Sequence, residues 1–377
     1  MDFAPYIEGI NSTGFPFEHQ TAEILRGRGW SVISNRYYID DDEDKPREID
    51  LLAYKSASFK NFDLRTAIVI SCKKSEQHHW AFLSRNVDLN DPNSDWKPVH
   101  FWCNDKPLSY IIGQSEWAAD YHRLTLARGV KQILDAPAYE VFAFQELFCG
   151  AAKGEKKIGA SRGDSSIYAS ILSAIKAQLY EMSIRDARPR KKPIIYQFNI
   201  LSLADAKFIR LHFEKNNIEP SEIGCALHVA RYIANRKQIF ARVLFSTKEH
   251  FPLILNDFDR LHDANKEILK NKRLEFYAEI EKDKKRLAVF IKEFRESIYR
   301  NILISDFRVP FEKMKILKEA NLEWDDKGRK LRILVAGDID FDADYFNKEE
   351  LRPAVEKTLK DIYRYEGDFM FDEDIPF

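Results

Sequence analysis

Asp50, Ser71 and Lys73 are the residues of this chain best placed to do chemistry, with Glu18 as a fourth. An aspartate at the end of a buried sheet can hold a hard divalent cation through oxygen. A lysine beside it can orient or deprotonate a water and stabilise developing negative charge. The same Asp and Lys would also serve as an ordinary cross-strand ion pair, worth well under ~1 kcal/mol on an exposed face. Convergence with Glu18 in one pocket is what separates a site from a plain ion pair.

The elements that must position these groups follow from periodicity. Phe17, Thr21, Ile24 and Leu25 fall at helical spacing, and Gly27 and Gly29 stop the helix. A strand is expected at Trp30–Ile39. An acidic loop, Asp40–Asp44, leads to a second strand at Arg47–Lys55. A polar loop, Ser56–Arg65, turns the chain into a third strand, Thr66–Lys74, whose Ala-Ile-Val-Ile run is rich in β-branched residues. An antiparallel pairing around a turn near residue 61 puts Asp50 opposite Lys73 and close to Ser71. Alternation gives Ser71 and Lys73 one face and sends Cys72 to the other.

A helical Glu, a strand Asp, and then Ile-Ser-Cys-Lys-Lys on the next strand resemble the restriction-endonuclease-like nucleases named for their PD-(D/E)xK motif. Glu-Ile-Asp-Leu-Leu, with Asp50, resembles the first half of that motif. Lys73 stands in the second half, and Glu18 resembles the helix carboxylate that precedes both. Ser71 departs from the pattern, because it stands where the family has an acidic residue and so removes one negative charge. Glu76, one turn beyond the lysine, is a candidate displaced carboxylate. The resemblance implies an α/β fold, with a restriction-endonuclease-like mixed sheet flanked by helices. It implies Mg²⁺ or Mn²⁺ on Glu18 and Asp50, and a catalytic set of Glu18, Asp50, Ser71 and Lys73. The activity implied is metal-dependent hydrolysis of DNA phosphodiester bonds, in bacterial anti-phage defence. Ser71 keeps an alternative open: a catalytically degenerate nuclease fold, acting as a nucleic-acid-binding or scaffold subunit of a defence or repair complex.

The net charge of −1 provides no global basic field, so contact with DNA must use local patches. Two are visible. Residues 150–163 read as a glycine-rich loop carrying Lys153, Lys156, Lys157 and Arg162. A helix capped by Asp164 follows, with Ile167, Ile171, Ile175 and Leu179 at every fourth position. It ends in Arg185, Arg188, Arg190, Lys191 and Lys192. A solvated linker would have the same composition. Trp96 and Trp102 can stack on bases or cap a core edge, and the core edge is the expected role. His78 and His79 point apart and read as a solvated pair beside a buried Trp80.

A length of 377 residues suggests two parts. A first domain is expected over 1–262, with a strand-rich extension. A mostly helical, C-terminally acidic region is expected over 263–377. The charged helical pattern of 263–302 has an apolar stripe that suits a partner helix or a second subunit, which makes a homo-oligomer or a defence-system partner protein an expectation. From Asp338 onward, 13 Asp/Glu face 5 Lys/Arg. This segment reads as a solvated surface or a docking tail, because its calcium-like Asp alternation lacks the glycine of a calcium loop. Four well-spaced cysteines argue against zinc or disulfides. The absence of an apolar leader or an 18-residue apolar run leads to the expectation of a cytoplasmic protein with no membrane contact. No phosphate-binding G-x-x-x-x-G-K-[ST] loop or G-x-S-x-G elbow occurs, so neither ATP hydrolysis nor an α/β-hydrolase is expected.

Overall fold

The computed structural model describes residues 1–40, 44–150, 157–185, 191–234, 236–306, 309–336 and 343–374, with the backbone alone for 311–313, 336, 343, 344 and 374. Two helices open the chain, α1 (Ala4–Asn11) and α2 (Phe15–Gly27). Then come β1 (Ser31–Asp40), β2 (Lys45–Ser58), β3 (Asp63–Lys74), β4 (His78–Asn86) and β5 (His100–Cys103). The helices α3 (Lys106–Ile112) and α4 (Trp117–Leu126) precede β6 (Tyr139–Phe148), β7 (Ser161–Gly163) and the long helix α5 (Ser165–Ser183). The strands β8 (Ile194–Asp205), β9 (Phe208–Glu214), β10 (Asn217–Ile223), β11 (Cys225–Ala234) and β12 (Lys237–Thr247) follow. After them runs α6 (Phe251–Tyr277). The remainder comprises α7 (Lys284–Ala288), α8 (Ile291–Ser305), α9 (Phe311–Ile316), β13 (Asn321–Asp325), β14 (Lys330–Ala336), α10 (Ala343–Phe346), α11 (Arg352–Tyr363) and β15 (Phe369–Asp374).

The protein is mixed α/β. Its chain forms two compact units, residues 1–105 with 115–268 and residues 106–114 with 269–377. The division falls inside α6, where the sequence offers no break.

The first unit is built on a seven-stranded sheet in the order β1-β2-β3-β8-β12-β11, with β5 also pairing to β8. β3 runs parallel to β8, and β8 parallel to β12, while β1, β2 and β11 are antiparallel to their neighbours. β3 is buried almost continuously from Thr66 to Cys72 because both of its faces are covered. On one face, Leu52, Val69, Ile200, Val243 and Phe245 share a core with Ile167, Ile171 and Ile175 of α5. On the other, Thr66 meets His262 of α6 at 3.0 Å. There, too, Asn265 reaches Thr66, at 3.1 Å, and Tyr121 donates to Asn265 at 2.6 Å. A second, five-stranded sheet runs β10-β9-β4-β6-β7.

Several local expectations are corrected. Ile24 is 42% exposed, and Ala22 takes its place among the buried residues of α2. The polar loop shrinks to residues 59–62, because Ser56↔Arg65 and Ala57↔Leu64 continue the ladder and the rings of Phe59 and Phe62 stack at 4.7 Å. Asp164 occupies the N-cap of α5, but its side chain makes no capping bond.

The second unit is not only helical, since it contains the sheet β13-β14-β15. The expected single helix over 263–302 ends at Tyr277, where Glu279 turns into the left-handed region at φ 53° and Asp283 then caps α7. Phe276, Ile280, Leu287 and Phe294 of the apolar stripe are buried in this unit's own core, so the stripe is not free for a partner. Phe369 and Phe371 of the presumed tail lie in the same core as part of β15, which pairs parallel to β14. The Asp338–Asp342 alternation and Phe377 lie outside the described residues.

Candidate active site

Asp50 is the centre of the cluster. Its Oδ2 accepts from the backbone N–H of Cys72 at 2.7 Å, from Ser71 Oγ at 3.2 Å and from Lys73 Nζ at 3.2 Å. Its Oδ1 has no bond to the described residues. Ser71 is buried, while Asp50 and Lys73 keep a quarter or so of their side-chain surface open. The expected pairing is displaced by two residues. The ladder runs to Leu51↔Ile70, so Asp50 comes level with Ser71 rather than Lys73. A slip of two preserves the face, whereas a slip of one would have separated the groups. Cys72 does point away, toward Thr21 of α2.

The β1–β2 ladder is interrupted beside Asp50. Pairing steps from Ser34↔Leu51 to Arg36↔Ile49, and the skipped position on β1, Asn35, has φ 55°. Asparagine tolerates this left-handed conformation better than most residues. The register is the same on both sides of the gap, so Asn35 stands level with Asp50 without a bulge.

Glu18 joins the cluster electrostatically. It lies in the first turn of α2, held by Phe17, Thr21, Ala22 and Leu25 on the helix's buried face. Lys74 Nζ donates to the carbonyl of Asn11 at 2.6 Å and so ties the start of this segment to the end of β3. Burial, then the charge of Asp50, pushes the Glu18 carboxyl up from 4.5 to about 7. Lys73 pulls the other way, and Glu48 adds a push. Glu48 was missed in the sequence. Its signal was available, since it stands two residues before Asp50 on the same strand.

Glu76 is 2.6 Å from Lys74 and largely exposed, and it does not take the place left by Ser71. Among the described residues no three His, Cys, Asp or Glu side chains converge as a metal cluster. The candidate donors are the Asp50 and Glu18 carboxylates and the Ser71 hydroxyl. Hard oxygen donors of this kind suit Mg²⁺, which keeps several waters and is commonly held by one or two carboxylates plus substrate phosphate.

The described residues of the two basic clusters lie at opposite ends of β3. Residues 157–160 close on β6 through Phe148 N to the Ala160 carbonyl at 2.9 Å. Cys149 N in turn bonds the Gln77 carbonyl at 2.8 Å, three residues past Lys74. Lys157 and Arg162 are exposed at this end, which is the end that carries Lys73. Lys191 is exposed too, but it precedes Pro193, whose carbonyl accepts from Asp63 at the start of β3. The span from Asp63 to Ser71 is roughly 26 Å at ~3.3 Å per residue, so Lys191 is remote from Asp50. Arg185 is not a surface cation: it is buried against Glu181 and lies 4.4 Å over the Tyr196 ring. Lys192 pairs with Asp63 at 2.6 Å. Lys153, Lys156, Arg188 and Arg190 lie outside the described residues.

The aromatic and histidine expectations divide. Trp102 packs edge-on to Tyr196, and Trp96 is half-buried, with its indole N–H on the Asp88 carbonyl at 2.7 Å. Trp80 is fully buried. His78 is buried against Phe148 rather than solvated, because it begins β4. All four cysteines are free thiols. Among the described residues no helix is long and apolar enough to cross a membrane.

No family model matches the chain, and no curated protein or solved structure matches it either.

Proposed function

We propose that the chain is a metal-dependent nuclease of restriction-endonuclease-like design that hydrolyses phosphodiester bonds in DNA. The observation that carries this reading is the meeting of Ser71 and Lys73 on Asp50 at 3.2 Å each, with Glu18 close enough for the Asp50 and Lys73 charges to move its proton affinity. Asp50, through its free Oδ1, and Glu18 would hold Mg²⁺ or Mn²⁺. A bound ion of this kind neutralises charge on the scissile phosphate. Lys73 orients the attacking water and steadies the charge that develops as the bond to the leaving sugar oxygen breaks. Ser71 contributes a hydrogen bond to Asp50. Lys157 and Arg162, at the same end of the sheet, would follow the DNA backbone. Anti-phage defence in a bacterial cytoplasm is the setting that the resemblance suggests. The test is cleavage of plasmid and linear DNA by purified protein with Mg²⁺ or Mn²⁺, against site variants.

Ser71 favours a second reading, a nuclease fold that binds nucleic acid or acts as a scaffold without cutting. DNA binding that ignores divalent ions, with no product under any of them, would select it. Ser71→Asp separates the two further. A third carboxylate beside Asp50 is expected to raise Mg²⁺ affinity about ten-fold by calorimetry. In the metal-free protein it should lower stability by about 1–3 kcal/mol, since position 71 is buried. Unchanged Mg²⁺ affinity would show that no ion sits there.

The raised Glu18 proton affinity gives a pH signature. The folded protein holds this proton more tightly than the unfolded chain. The stability that comes from it is complete below pH 4.5 and is lost as pH rises through about 7. A cation competes with the same proton. Apparent Mg²⁺ affinity is expected to be about ten-fold weaker at pH 6 than at pH 8, with close to one proton released on binding at pH 6. Titration calorimetry in two buffers of different ionisation enthalpy counts that proton. Glu18→Gln should flatten the profile, and binding without proton release would remove Glu18 from the ligand set.

A further inference from the structure

Among the polar atoms of the first unit's second sheet that have nothing to bond, two are neighbours across the β9–β10 ladder. β9 and β10 place Arg210 directly opposite Ser221, so both side chains rise from the same face. Arg210 Nε and Ser221 Oγ are buried, and neither has a hydrogen-bond partner. The Arg210 guanidinium lies 4.1 Å over the Tyr139 ring and forms no ion pair among the described residues. Buried donors are nearly always satisfied, so the unbonded Arg210 Nε is an exception that calls for a partner.

Arg210 opens on a cavity of about 370 Å³. Phe82, Val141, Ile223, Leu227 and Leu244 supply apolar walls, and Lys131 stands at the rim as a second cation. The rim carboxylate, Asp135, accepts from Ala136 N at 2.8 Å rather than from Arg210. Water alone would satisfy the Nε but would wet the apolar walls. Size, apolar lining and a cation with one buried, unbonded N–H are the features of a small-molecule pocket.

We propose that this cavity binds a small organic anion. Its apolar or aromatic body fills the space between Phe82, Leu227 and Leu244, and its single carboxylate, sulfonate or phosphate group accepts from Arg210. Charge-assisted bonds to such a group are the strong kind, and the stacked Tyr139 ring holds the guanidinium flat for a two-pronged contact. The site is independent of Asp50 and of the nuclease reading.

The test uses the full chain and two dyes, anionic 8-anilinonaphthalene-1-sulfonate and neutral N-phenyl-1-naphthylamine, followed by fluorescence with folding checked by circular dichroism. The wild type is expected to bind the sulfonate saturably, about one per chain, with displacement by 1-naphthoate. Arg210→Met is expected to weaken the sulfonate at least ten-fold while sparing the neutral dye. Arg210→Lys should fall between the two. Leu227→Trp, which fills the cavity, should block both dyes. Absence of saturable binding to the wild type overturns the proposal, as does wild-type sulfonate affinity in folded Arg210→Met. If Arg210→Met does not fold, the Leu227→Trp and Arg210→Lys arms decide, and undiminished binding by both overturns it.

Discussion

Asp50→Ala is expected to lower Mg²⁺-dependent DNA cleavage by about 10³-fold, the equivalent of roughly 4 kcal/mol of lost transition-state stabilisation. The carboxylate has two jobs that substitution can separate. Oδ2 organises the end of β3 by accepting from Cys72 N, Ser71 and Lys73, and Oδ1 is left for a cation. Alanine removes both and strands a buried N–H, so it should also lower stability by about 1–3 kcal/mol. Asp50→Asn keeps an oxygen for Cys72 N and loses the charge. It is expected to be as inactive as the alanine variant but closer to the wild type in its denaturant midpoint. Lys73→Met should cut turnover while leaving Mg²⁺ bound. It should also move the pH profile upward, because Lys73 is the group that restrains the Glu18 carboxyl. Equal cutting by the wild type and all three variants would mean a contaminating nuclease and end the proposal.

The chemistry of this hairpin was legible because its pattern is redundant. The β-branched run of β3 gives a strand, alternation sets Ser71 and Lys73 against Cys72, and a pairing error of two leaves the same side chains together. What was not legible is whatever depends on a third element. Arg185 reads as one more cation in a basic run, yet a buried Glu181 one turn back takes it inward. Lys191 reads as part of the same cluster, yet parallel pairing of β8 with β3 puts it a strand's length from Asp50. The stripe of 263–302 reads as an interface, but a sheet contributed by residues 321–374 supplies its partner within the chain. Local periodicity shows that a face is apolar and leaves open what covers it.

The irregular position Asn35 belongs to the same class. Nothing in Ser-Asn-Arg announces a left-handed residue inside a strand, yet the skipped pair lies beside Asp50. Residues in sparsely populated backbone conformations cluster at functional sites, and this one stands level with a candidate ligand. Arg36, the next residue, is fixed by Glu181 of α5, so this part of β1 is held from the helix side.

Replacing Glu181 should therefore show how much of the first unit depends on that clamp. The Glu181 side chain is fully buried between Arg36 of β1 and Arg185, whose own N–H groups reach the Glu181 carbonyl at 2.9 Å and the Tyr196 hydroxyl at 3.2 Å. Removing this carboxylate takes the Glu181 counter-charge from both guanidinium groups at once. Glu181→Ala is expected to cost about 3–5 kcal/mol, read as a lower urea midpoint followed by tryptophan fluorescence. Glu181→Gln should fare little better, since its amide supplies an acceptor but no charge. The triple change of Arg36, Glu181 and Arg185 to methionine removes every ion at once, and it should recover much of the loss because an apolar replacement leaves no stranded charge. If Glu181→Ala unfolds at the wild-type midpoint, the pair is solvated in solution and the clamp on β1 does not exist. If the triple variant is no better than Glu181→Ala, the clamp contributes geometry that methionine cannot replace. Cleavage per folded molecule should then fall with it, because β1, which carries Asn35 beside Asp50 of β2, would lose its tie to the helix.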